Sequence, residues 1–271
     1  MRMSRLKERV CIVTGGAQGI GLGMANALAK EGACVVVANR SHETGESAAD
    51  SVRKASQKAG GDCHFVETDV AEEASVRALV HGVVERFGRL DGLVNNATPT
   101  GGTSRLESMT SEAVERYVRV NYYAAFWSMQ AAFPSMRAAG FGRVINLASL
   151  NGVNAHRYTM MYNASKEALR ALTRTAAAEW ARYGITCNVI CPAADSDSWQ
   201  AFRRFDPAGS ARILEANPSG RMGDPEADIG PLAVFLASEE SRYITGNTIH
   251  ADGGGHINGV PWFPEMPESG S

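Results

Sequence analysis

The feature that most constrains this chain is a regular alternation of short, β-branched apolar runs with longer helical patterns. The runs fall at Val10–Val13, Cys34–Ala38, His64–Thr68, Leu90–Asn95, Arg143–Leu147, Ile185–Cys191 and Asn247–Ala251. They hardly alternate between apolar and polar residues, as expected of strands buried on both faces. Between them, helices are expected at Gly19–Glu31, Thr44–Ala59, Ala74–Phe87, Ser111–Ala139, Met160–Tyr183 and Pro225–Ala237. The last is well punctuated, with Asp224 as N-cap and Pro225 at the first helical position; Pro231 inside it removes a backbone bond and predicts a kink. Alternating βα units imply an α/β fold, a seven-stranded parallel sheet with helices on both faces.

No repeat, low-complexity tract or linker divides the 271 residues, so one domain over residues 1–271 is expected. Two segments break the alternation. Residues 193–223 follow the sixth strand, read as irregular, and lie where α/β proteins place substrate lids. Residues 253–271 form a glycine- and proline-rich tail carrying Trp262 and Phe263.

Composition excludes several function classes. A net charge of −2 lacks the basic excess of a nucleic-acid binder. No stretch approaches the roughly 20 apolar residues of a membrane span, and the N-terminus has no signal-like apolar core. The five cysteines are scattered and mostly in apolar runs, which reads as reduced core thiols of a cytoplasmic protein.

Three stretches carry chemistry. Thr14-Gly15-Gly16-Ala17-Gln18-Gly19-Ile20-Gly21 follows the first strand and opens the first helix. Glycines there permit a tight turn and present helix N-terminal N–H groups to a pyrophosphate. Asn95-Asn96-Ala97 ends the fourth strand, as either a close cofactor approach or a simple turn. Asp69 ends the third, as either an adenine contact or a helix cap. Tyr162 and Lys166, four apart, share one helix face. Alone, such a pair is an ordinary surface feature. Given a cofactor, a nearby cation lowers a phenol pKa from about 10 towards the working range.

Together with Asn121, Ser149, Pro192 and Asp252-Gly253-Gly254, these stretches come in the order found in short-chain dehydrogenases/reductases. The chain resembles the branch with a Thr-Gly-x-x-x-Gly-x-Gly turn and a Tyr-x-x-x-Lys pair, from about Lys7 to Asp252. The resemblance implies a Rossmann fold. It makes Tyr162 the acid/base, Lys166 the group that lowers its pKa and contacts the nicotinamide ribose, Ser149 the residue orienting the substrate oxygen, and Asn121 the holder of a water linked to Lys166. It implies a dinucleotide site of Gly15, Gln18, Gly19, Ile20, Gly21, Asn39, Arg40, Asp69, Val70, Asn95, Asn96, Ala97, Pro192 and Ala194, with Tyr162 and Lys166.

The second strand ends Ala38-Asn39-Arg40, with Asn39 where NAD-type members carry Asp; Arg40 suits a 2′-phosphate. Gln18, where many NADP-type members have a basic residue, and nearby Glu43 argue the other way. The balance favours NADP(H), with NAD(H) the alternative. Thr98 and Ala193 replace family glycines. The usual Thr after Pro192 is absent, leaving Ser196 or Ser198 as substitutes.

Trp199, Phe202 and Phe205 recur every three residues, forming either an apolar lid over a bulky ketone or alcohol (steroid, terpenoid or 3-oxoacyl) or a packing stripe. Asn151 and His156 lie between Ser149 and Tyr162, where substrate loops sit. The alternatives are an NAD-dependent sugar, polyol or small-alcohol dehydrogenase and a non-catalytic dinucleotide-binding regulator. No metal, nucleic-acid or membrane partner is expected. The Ala164, Ala171, Thr175 and Ala178 face of the Tyr162 helix permits close helix pairing, predicting a homotetramer or a homodimer.

Overall fold

The computed structural model describes residues 4–257. Seven strands form one parallel sheet: β1 (Val10–Thr14), β2 (Cys34–Asn39), β3 (Asp62–Glu67), β4 (Gly92–Asn95), β5 (Gly142–Leu147), β6 (Ile185–Pro192) and β7 (Thr248–Ala251). Their order is β3-β2-β1-β4-β5-β6-β7. The order reverses direction beside β1 and β4, opening at their carboxyl ends the crevice in which such sheets bind ligands. The strands begin and end within two residues of the runs read from sequence, because a strand buried on both faces has a continuous apolar signature.

Helices cover both faces. One core joins α1 (Gly19–Lys30), α2 (His42–Ser56) and α10 (Gly230–Ala237) to the sheet through Met24, Leu28, Val35, Val37 and Val234. The other joins α3 (Glu73–Phe87), α5 (Ala124–Ala139) and α7 (Met160–Trp180) through Ile12, Val36, Leu79, Leu93 and Met136. Ile12 and Val13 are both fully buried yet enter different cores, as alternating strand residues must.

Three expectations need correction. The helix expected over Ser111–Ala139 is α4 (Ser111–Val118) and α5, joined by a π-helical turn at Arg119–Tyr123. That wider turn contains Asn121 and turns its side chain inward. The helix at Pro225 begins with another π turn, Pro225–Ile229, before α10. Pro231 therefore lies in the first turn of the α-helical part, where its missing N–H costs little. The segment read as irregular after β6 holds α8 (Asp197–Phe205), capped by the Ser196 hydroxyl, and α9 (Pro207–Ala216), capped by Asp206. All five cysteines are free. Among the described residues no helix is long and apolar enough to cross a membrane. Trp262 and Phe263 lie outside the described residues.

Candidate active site

Two elements bring the chemistry-bearing residues together. Ser149 follows β5 and caps the short helix α6 (Leu150–Val153), accepting from the Asn151 N–H at 3.1 Å. Tyr162 and Lys166 stand on the first turns of α7, which leans back over β5. The Ser149 hydroxyl stands near enough to the Tyr162 phenol to hold its pKa down, and Lys166 Nζ lies 5.6 Å from the phenol ring centroid. Lys166 is 2% exposed and donates to the Leu147 carbonyl at 2.7 Å. Asn121 is 2% exposed; its Nδ2 donates to Ser165 Oγ at 3.0 Å, and its Oδ1 has no partner.

Electrostatics here is governed by burial. Loss of water pushes the Tyr162 phenol up, against the downward pull of Ser149. The same desolvation brings Lys166 down from 10.5 to about 7. In the chain by itself burial outweighs any lowering of the Tyr162 phenol, and the same desolvation weakens the hold of Lys166 on its proton. An anion bound beside the pair would restore that hold.

The groove at the carboxyl ends of β1 and β4 collects most of the residues assigned to cofactor binding: Gly15, Gln18, Gly19, Ile20, Gly21, Asn39, Arg40, Asp69, Val70, Asn96 and Ala97. Its tightness has a physical origin. A Cβ on Gly21 would lie 2.2 Å from the Gly15 carbonyl oxygen, and Gly15 itself has φ +62°. Asn96 fixes the turn from the far side, its Nδ2 donating to the Thr14 and Gly15 carbonyls at 2.9 and 3.1 Å. Asp69 is not the helix cap considered for it, since the N-cap of α3 is Glu72; its Oδ1 accepts from the Ala71 N–H at 2.9 Å in the turn before that helix, and it borders the groove.

Several expectations fall elsewhere. Asn95 does not line the groove. It is buried in a hydrogen-bonded chain in which Ser128 Oγ donates to Asn95 Oδ1 (2.8 Å), Asn95 Nδ2 to Asn146 Oδ1 (2.9 Å) and Asn146 Nδ2 to Thr173 Oγ1 (2.8 Å). Pro192 ends β6 off the groove, and Ala194 is buried, bridging to Gly223. The Asn163 Nδ2 and Thr159 hydroxyl groups both donate to the His156 carbonyl, which fixes the loop containing exposed His156 but not its ring. Trp199 and Phe202 pack together on α8 with ring centroids 5.8 Å apart, while Phe205 is 88% exposed.

Sequence reasoning missed Thr98, Thr100, Arg116, Val120 and Asp197 on the groove wall, where Ser196 and Ser198 also lie. For Arg116 and Val120 a signal existed: four residues apart, they share one face of the expected helix.

Comparison with known proteins agrees with this architecture. A family model described as Enoyl-(Acyl carrier protein) reductase matches residues 15–256. L-fucose dehydrogenase of Oryctolagus cuniculus is 35% identical over 262 residues, covering 95% of this chain and 88% of its own length. 12alpha-hydroxysteroid dehydrogenase of Clostridium sp. is 34% identical over 252 residues, covering 91% and 96%. The crystal structure of levodione reductase matches with a TM-score of 0.86 at 31% identity, over 94% of this chain and 100% of that one. The chain belongs to the short-chain dehydrogenase/reductase family, NAD(P)-dependent oxidoreductases acting on CH–OH and ketone groups.

Proposed function

We propose that the chain is an NADP(H)-linked oxidoreductase interconverting a ketone and a secondary alcohol on a bulky, mostly apolar substrate. The observation that carries the chemistry is the approach of the Ser149 hydroxyl to the Tyr162 phenol, whose pKa it holds down, with Lys166 buried behind the ring. In reduction, Tyr162 Oη gives its proton to the substrate oxygen while Ser149 Oγ holds that oxygen by a hydrogen bond. Oxidation reverses both movements. Lys166, charged, stabilises the phenolate left behind. Asn121 braces the first turn of α7 through Ser165, whose hydroxyl also donates to the Tyr162 carbonyl at 2.9 Å.

The groove fits a dinucleotide, since its glycine turn leaves no room for a side chain at Gly21 and opens onto the start of α1. Gly19, Ile20 and Gly21 would hold the pyrophosphate, and Asp69 and Val70 the adenine end. When bound, the nicotinamide supplies or accepts the hydride. Arg40 and Asn39 both border this groove, whereas Glu43 does not, which supports NADP(H) over NAD(H). Dissociation constants measured for NADPH and NADH test this. Tighter NADH binding refutes it, and Arg40→Ala should weaken NADPH by about tenfold or more, the loss of a charge-assisted bond, while sparing NADH.

The paired Trp199 and Phe202 rings support residues 193–223 as an apolar lid, in keeping with the hydroxysteroid and levodione relatives. The fucose relative favours a second reading, a sugar or polyol substrate. A panel of cyclic ketones, steroids and sugars assayed with both nicotinamides separates the two. Tyr162→Phe should abolish turnover of whichever substrate responds; full retention would leave a non-catalytic role for the site.

For assembly, the exposed Ala164, Ala171, Thr175 and Ala178 face of α7 supports a homotetramer or homodimer. Light scattering giving a monomer at micromolar concentration would rule this out.

A further inference from the structure

We propose that Tyr117 is a positioning residue of the active site, mooring the Gly101-Gly102 turn with its hydroxyl and supporting the Tyr162 ring with its own. Residues 99–106 thereby become a fixed wall beside the reacting carbon of the substrate. This rests on the reading of Tyr162 as proton donor.

Tyr117 is the buried residue of α4, at 5% exposure. An aliphatic side chain would fill such a position without cost, whereas a buried phenol needs a partner for its hydroxyl. That partner is the Gly101 carbonyl oxygen. Burial pushes the Tyr117 phenol up, so the group stays a donor across the working pH range. Its ring meets Tyr162 edge to face, with centroids 6.1 Å apart and planes at 88°, the arrangement aromatic quadrupoles favour.

The moored turn has little slack. Gly101 and Gly102 have φ of +77° and +94°, and a Cβ on Gly102 would lie 3.0 Å from Met161 Cε and 3.2 Å from Tyr117 Oη. Beyond the turn, Ser104 N–H donates to the Tyr158 carbonyl at 2.9 Å, and the Arg105 guanidinium lies 5.9 Å from the Tyr158 ring centroid. Tyr158 itself has φ +68°, an uncommon backbone for a bulky residue. The segment is thus strung between α4 and the loop that delivers Tyr162. Its first residues, Pro99 and Thr100, border the dinucleotide groove. A wall in that place contacts substrate, not cofactor, once it turns at Gly101.

Two variants of the full chain test this. Tyr117→Phe keeps the ring and deletes the mooring. The substrate KM should rise about tenfold, the loss of one hydrogen bond, with kcat and the NADPH dissociation constant within about twofold. Amide exchange over residues 101–105 should accelerate, a readout independent of turnover and therefore of the role given to Tyr162. Tyr117→Leu should in addition lower kcat and move the pH midpoint of kcat, because the phenol has lost its edge contact. Unchanged KM and unchanged exchange in Tyr117→Phe would overturn the proposal. So would a uniform loss of stability and NADPH binding in both variants, the pattern of a merely structural residue.

Discussion

Lys166 Nζ reaches back nineteen residues to the Leu147 carbonyl, 2.7 Å away, and so ties the catalytic helix α7 to the end of strand β5. The bond keeps a fully buried amine in place, but at a cost in stability. With its pKa brought from 10.5 to about 7, Lys166 penalises folding wherever the unfolded chain holds its proton and the folded chain is reluctant to. Below pH 7 both states are protonated and the cost is complete. Between 7 and 10.5 it falls as pH rises, and above 10.5 it is gone. At about 1.4 kcal/mol per pKa unit, the cost approaches 5 kcal/mol at pH 6. Lys166→Met removes it but leaves the Leu147 carbonyl unpaired, returning roughly 1–2 kcal/mol. Urea titrations should therefore find the inactive variant about 3 kcal/mol more stable than the parent at pH 6, with the gap shrinking by pH 10. A variant less stable at pH 6 would contradict the assignment.

The same depressed amine should report cofactor binding. A lysine titrating near 7 is about half protonated at pH 7, and a bound dianionic dinucleotide favours the charged form. NADH binding at pH 7 is then expected to take up a fraction of a proton. Calorimetry in phosphate and in Tris should give enthalpies that differ by that fraction of the buffers' ionisation heats. Lys166→Met should abolish the difference, while equal heats for the parent in both buffers would count against the shifted pKa.

Much of this architecture was legible in the sequence, and the omissions have physical causes. Strands β1 to β7 could be read because burial on both faces leaves an uninterrupted apolar run. Tyr162 and Lys166 could be placed on one helix face because their spacing is local to that helix, whereas Ser149 and Asn121 entered only through the family resemblance. The π turn around Asn121 could not, since one extra residue per turn has no compositional sign. Helix α9 was missed although Asp206-Pro207 repeats the Asp224-Pro225 start signal that was used elsewhere. Tyr117 and Asn95 were beyond reach for a different reason. Their partners, Gly101 and Asn146, are set by how distant segments pack, and nothing adjacent in the chain records that contact.

Asn95 and Asn96 are neighbours with opposite duties, and substitution should separate them. Asn95→Leu would strip partners from Ser128 and Asn146 inside the sheet–helix core, costing about 2–4 kcal/mol. Dinucleotide affinity, measured where the variant is still folded, should change little. Asn96→Ala frees the Gly15 carbonyl at the groove rim instead. It should weaken NADPH binding by about tenfold while lowering stability less than Asn95→Leu does. Thermal denaturation and NADPH fluorescence titration on the two proteins give both quantities, and equal effects would remove the distinction drawn between them.

Two glycine-to-alanine substitutions provide a matched test of the phosphate turn. At Gly21 the new methyl would sit 2.2 Å from the Gly15 carbonyl oxygen and 2.5 Å from Asn96 Nδ2. Neither can retreat far, because one is backbone and the other is committed to two carbonyls. The turn must open, at a cost of about 2–3 kcal/mol, and NADPH binding should fall at least a hundredfold. At Gly82, inside α3, nothing lies within 4 Å of the added methyl and φ is not positive. There alanine should stabilise the chain by up to about 1 kcal/mol through helix propensity, leaving NADPH affinity unaltered. If Gly21→Ala instead binds NADPH as the parent does, the close approach of Gly21 to Gly15 is not what shapes the cofactor groove.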